Sequence, residues 1–179
     1  CDGTVDEGNP GGGVICAGST DVGACVARTA CVAGAIVCRG TFVAVGGLVT
    51  ATGASNDPLP SVTAAIANAG ILGGGADVCV CDTSAVGPST FTENVVMVEG
   101  TSVLGAYDCP TWTRPAGRTT AIQDTDDDGL TFPAGITSVT VLELMTVVGA
   151  NAGLASASTL AITITNSSPT LTTDTVRAG

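Results

Sequence analysis

Residues 77–82 read Asp77-Val78-Cys79-Val80-Cys81-Asp82. Side chains on a strand alternate between faces, so Val78 and Val80 point one way and Cys79 and Cys81 the other. A strand with valines on one side and cysteines on the other has an apolar core beneath it and something cross-linked above it. Two cysteines on one face of one strand do not bond readily to each other. They are expected to reach different partners, one in the amino-terminal region and the other Cys109.

The chain around this strand is built from small and β-branched residues. It has 179 residues, 25 of them Gly, and only five aromatic rings: Phe42, Phe91, Tyr107, Trp112 and Phe132. The core must therefore come from Val, Ile, Leu and Ala, in a composition that favours pleated sheet over helix. Residues 158–165 show this most clearly, with Leu160, Ile162 and Ile164 alternating with Ala161, Thr163 and Thr165. Residues 136–144 also read as a strand. Residues 91–98 and 101–107 read as a hairpin about Glu99-Gly100, and residues 40–56 as two strands broken at Gly46-Gly47. One short helix is expected over residues 61–69, with Ser61 as N-cap and Gly70 ending it. Trp112 lies in an irregular segment and is expected to cap the edge of the core. The uncharged run 144–173 is rich in Thr, Ser, Asn and Gly, so it reads as β-structure rather than as a membrane span.

Eight cysteines, Cys1, Cys16, Cys25, Cys31, Cys38, Cys79, Cys81 and Cys109, form an even set. The only close pair is Cys79/Cys81, and histidine is absent, so tetrahedral zinc sites lack their usual ligand pairs. Disulfides are expected, and with them an oxidising, extracellular or cell-surface location. Connectivity is open, since eight cysteines allow about 105 full pairings. Five of them fall in the Gly-rich first 38 residues, which hold too little apolar surface to fold without staples. The organisation expected is mainly β: a disulfide module over residues 1–39, then a β-sandwich-like domain over residues 40–179 with a terminus able to exchange strands. The chain starts at Cys1 among acidic residues and reads as a mature or trimmed product.

The opening run, residues 1–13 (CDGTVDEGNPGGG), resembles the closing part of the bacterial surface repeats described as a putative metal-binding motif, the MopE-like repeats. The spacing of Cys16, Gly23, Cys25, Cys31, Gly34 and Cys38 resembles the short cysteine unit that trails those repeats. The resemblance covers about the first 38 residues. It implies a secreted, modular bacterial protein, with Asp2, Asp6 and Glu7 as oxygen ligands.

Five arginines stand against 16 carboxylates, giving a net charge of −11 with no lysine. That balance excludes a basic nucleic-acid face and disfavours anionic membranes, while divalent cations are favoured. Residues 124–129 supply a candidate site: Asp124, Asp126 and Asp128 alternate, and Gly129 is expected to permit a sharp turn that aims three carboxylates at one Ca²⁺. The twelfth position of the loop is Gly135, so this is not an EF-hand. Asn166-Ser167-Ser168 fits the glycosylation acceptor pattern at Asn166. A hydrolytic triad lacks its histidine, and Glu93, Glu99 and Glu143 are the carboxylates a glycoside-cleaving pair would draw on. No enzyme is expected. The function expected is a structural subunit of an extracellular bacterial fibre or surface layer, a homopolymer joined by strand pairing. The alternative is a monomeric calcium-dependent adhesion module.

Overall fold

The computed structural model describes residues 13–73, 75–83, 88–125, 128–150 and 160–177, and of Asp128 the backbone alone. The protein is mainly β, as its composition requires, but it is not a sandwich of antiparallel sheets. Apart from an antiparallel hairpin of β1 (Ala27–Val32) and β2 (Ala35–Gly40), the paired strands are parallel. They form three sheets. The first, in spatial order, is β13 (Thr170–Thr172), β10 (Val141–Glu143), β7 (Val103–Asp108), β4 (Val78–Asp82) and β3 (Phe42–Ala44). The second is β14 (Thr175–Arg177), β11 (Met145–Val148), β8 (Thr120–Gln123) and β5 (Ser89–Thr92). The third is β12 (Leu160–Ile164), β9 (Asp128–Phe132) and β6 (Val95–Val96).

From β4 onward the chain visits the three sheets in turn, so each circuit lays one rung on the last, about 4.8 Å further along. The architecture is a three-sided parallel β-solenoid. Parallel neighbours need a long crossover, and here the other two sheets provide it in place of a helix.

Register stacks like on like inside. Val78, Val103, Leu142 and Leu171 form one inward column, Phe91, Ile122, Val147 and Val176 a second, and Val95, Leu130 and Ile162 a third. Above the last rung these residues are almost wholly buried and make the main core, apart from Ile162, which is partly buried against it. The expected hairpin over residues 91–107 is absent, because β7 pairs with β4 and β10 rather than with β5 or β6. Glu99-Gly100 is a corner instead, with Gly100 at φ 77. Corners between the first and second sheets turn on single left-handed residues, Leu144 (φ 55) and Thr173 (φ 57). Residues 40–56 hold one strand, β3, and not two.

The helix α1 (Val62–Leu72) plugs one end of the solenoid. Ser61 is its N-cap, as expected, with Oγ accepting from Ala64 N, and the helix runs past Gly70 to stop at Gly73 (φ 79). Val62, Ala65 and Ile66 enter the core, while Asn68 Nδ2 donates to the Gly40 carbonyl. The outer edge of β3 at this end is also covered: Phe42 N donates to Gly53 O, and Ala44 N and Leu59 O close a parallel bridge. No helix among the described residues is long and apolar enough to cross a membrane.

The tail that the sequence offered as an exchangeable strand forms the fourth rung of its own chain, as β13 and β14.

Candidate functional site

The outward face of the first sheet carries a second, smaller core. Cys79 and Cys81 point into it from β4, opposite Val78 and Val80, and meet Cys25, Ala27, Phe42, Tyr107 and Trp112. Cys25 bonds to Cys79 and Cys81 to Cys109, while Cys16–Cys38 closes the module on itself. Cys31 is disulfide-bonded as well. The two cysteines of one strand face therefore hold two separate pieces, the amino-terminal module and an excursion over residues 109–119 between β7 and β8. Trp112 belongs to that excursion. It is buried, its ring meets Phe42 edge-on at 4.7 Å between centroids, and its Nε1 donates to the Ser55 carbonyl at 2.8 Å. Arg118 joins the excursion to buried Asp82, at 3.8 Å, and to Asp108, at 2.6 Å.

The acidic run lies at the corner from the second sheet to the third. Asp124 is buried, and its Oδ2 accepts from Ala150 N at 3.3 Å. Asp126 lies outside the described residues, and Asp128 opens β9. Gly129 does not make the sharp turn expected of it. It stands inside β9 without a left-handed φ, and its role is space: a Cβ there would sit 2.9 Å from Asp124 Cβ and 3.1 Å from the Ala161 carbonyl. Asn94, on the preceding rung, accepts at Oδ1 from Thr125 N and Oγ1. Among the described residues no three His, Cys, Asp or Glu side chains gather for a metal. Asp2, Asp6, Glu7 and Cys1 also lie outside the described residues. Asn166 is exposed at a corner, its carbonyl accepting from Gly135 N.

The three glutamates considered for acid–base work are each held by structural partners. Glu93 caps α1 from the next rung, accepting from Val62 N (2.7 Å), Ser61 Oγ (2.8 Å) and Thr63 N (3.1 Å). Nothing in local sequence spacing signals that contact. Glu99 ties its corner to the next one through Thr137 N, Thr137 Oγ1 and Thr140 Oγ1, and these donors hold its carboxyl below the ordinary range. Glu143 accepts from Arg114, whose guanidinium lies over the Tyr107 ring. Burial raises the Tyr107 hydroxyl, with Arg114 opposing.

Asp174 carries no signal in the local sequence pattern. Its Oδ1 accepts from Met145 N (2.8 Å) and its Oδ2 from Thr172 N (3.0 Å), at the corner between β13 and β14. Burial, with the charge of Glu143 adding, pushes its carboxyl up to about 6 against the pull of those two N–H donors.

Comparison with protein families, with characterised proteins and with solved structures finds no match to this chain.

Proposed function

We propose that the chain is a non-enzymatic structural subunit of an extracellular bacterial fibre or surface layer, joined to its neighbours by β-strand pairing and stiffened by disulfides and Ca²⁺. The observation that carries this reading is the position of β12, β13 and β14. Among the described residues each has a strand neighbour on one side only. Two inward columns arrive there at Leu171 and Val176, which are 42% and 54% exposed. A strand laid against β13 or β14 gains backbone hydrogen bonds and covers apolar side chains in the same step. At the other end α1 sits over the core and residues 53–59 pair with the outer edge of β3.

Three disulfides accord with an oxidising setting. The engagement of Glu93, Glu99 and Glu143 in caps, corners and an ion pair supports a structural rather than a catalytic role for them. Calcium belongs to the proposal at Asp124, Asp126 and Asp128, whose alternation in the sequence is the pattern of an oxygen-ligand loop. The resemblance of residues 1–38 to a MopE-like repeat supports a bacterial surface location.

Negative-stain electron microscopy of native material, with and without a calcium chelator, tests this. Filaments or sheets that loosen on chelation are expected. Assemblies indifferent to the chelator would remove calcium and keep the assembly. Isolated particles in both samples would overturn the proposal in favour of the monomeric adhesion module.

A further inference from the structure

At the corner from the first sheet to the second, one inward column runs Ser89, Thr120, Met145 and, one place before Thr175, Asp174. Each of the first three lies beneath the next rung and is buried, at 5%, 0% and 1% exposed. Asp174 stands on the last rung, where β13 meets β14. It is half-buried, with no further strand over it among the described residues.

We infer that Asp174 controls the strand pairing proposed above: ionised, it keeps a neighbour's strand off β13 and β14, and taking up a proton lets that strand settle. The inference rests on the strand-pairing reading and adds the condition under which pairing occurs.

A strand laid over β13 and β14 encloses position 174 as the existing rungs enclose Thr120 and Met145. The carboxylate there has two neutral donors, Met145 N and Thr172 N, and no ion-pair partner among the described residues. Glu143, the charge on β10, is itself an anion held by Arg114, and it adds repulsion. β11 and β13 carry no charged residue. Arg177, the one cation of β14, falls on the opposite face by strand alternation. Enclosing an anion without a cation is strongly unfavourable, so a covered corner accepts the neutral acid. The half-buried carboxyl already leans that way, at about 6. An inward-pointing charge at an open sheet edge also keeps that edge from pairing.

The backbone of the edge is otherwise ready. Thr170 N donates to Thr140 O, and Thr172 O accepts from Leu144 N, both toward the rung of β10. Alternation therefore turns the N–H of Leu171 to the open side.

The test is sedimentation velocity of the whole chain at about pH 5 and about pH 7.5, at fixed salt and calcium, on wild type, Asp174→Asn and Leu171→Pro. Asn cannot ionise, and Pro removes the N–H that an incoming strand would use. Circular dichroism and thermal melts establish that each variant is folded. Wild type is expected to associate at the lower pH and to weaken about tenfold for each pH unit above about 6. Asp174→Asn is expected to associate nearly alike at both, and Leu171→Pro at neither. Calorimetric dilution of wild type in two buffers of different ionisation heat reads proton uptake on association without any variant.

Wild-type association that ignores pH or grows with it, pH sensitivity retained in Asp174→Asn, or association without proton uptake overturns the inference. Strand pairing then still stands if Leu171→Pro abolishes association. Association as strong in folded Leu171→Pro as in wild type overturns both, since the contact then lies off this edge. Wild type and Asp174→Asn that stay monomeric at both pH values also overturn both.

Discussion

Cys25 of the amino-terminal module is bonded to Cys79 in the solenoid, 54 positions along the chain, with both residues fully buried. It is the long-range bond that fastens the module to β4. In the chain-entropy picture, closing a loop of that length stabilises by about 4 kcal/mol. Replacing both residues, Cys25→Ala/Cys79→Ala, is expected to lower the unfolding free energy by about that amount, read from denaturant melts whose slope rises because the unlinked unfolded chain is less compact. A loss below about 1 kcal/mol would mean that packing around Phe42 and Trp112 alone keeps the module in place.

Trp112 fills the space between the module, β3 and the excursion. Trp112→Ala removes the Phe42 contact and leaves the Ser55 carbonyl without its donor. Truncating a buried aromatic costs about 3–5 kcal/mol. Trp112→Phe keeps most of the contact and loses the hydrogen bond, which predicts a loss of about 1–2 kcal/mol. Thermal melts of the two variants check the order. Equal losses would show that the hydrogen bond, not ring packing, positions the excursion.

Much of the local chemistry was legible in the sequence, and the architecture was not. Alternation at Cys79 and Cys81 announced a two-faced strand, Ser61 announced a helix start, and Trp112 read as a cap on the core. The β-sandwich failed because alternation is the same in a sandwich and in a solenoid. What separates them is which strand lies alongside, and the aligned residues Val78, Val103, Leu142 and Leu171 are unevenly spaced by corners of different length. No repeat period appears. Left-handed corners at Leu144 and Thr173 carry no glycine to mark them. At the acidic corner the pattern of carboxylates was visible, but Gly129 was read for its backbone freedom when its value is the missing Cβ beside Asp124.

The same reasoning makes Gly105 a sharp test of the stacked rungs. It has no left-handed φ, yet a Cβ there would fall 2.3 Å from Thr120 Oγ1 and 2.4 Å from the Leu144 carbonyl. Gly105→Ala must push one rung off the next, at a cost of about 1–3 kcal/mol or more. Gly70, with open space around it in α1, is the control: Gly70→Ala is expected to be neutral or to stabilise by up to about 1 kcal/mol. Equal melting temperatures for the two variants would contradict the stacking described.

Asp174 gives the pH dependence a definite sign. Its carboxyl is raised from 3.8 to about 6 in the folded chain. Between those values the folded state holds a proton that the unfolded chain has released, so stability from this group falls as pH rises through the window. The contribution is complete below 3.8 and lost above about 6. The group is only half-buried, so solvent screening reduces the effect to roughly 1–2 kcal/mol. Asp174→Asn removes the titration but keeps one acceptor for the Met145 or Thr172 N–H, giving a fixed offset from wild type. The comparison is therefore of melting temperatures at about pH 4 and about pH 7.5, where wild type is expected to lose a few degrees relative to Asp174→Asn on going to the higher pH. Other carboxylates, including Glu99 with its lowered value, titrate alike in both proteins and drop out of the difference. A wild-type advantage that grows with pH would show that the two N–H donors, rather than burial and Glu143, govern this carboxylate.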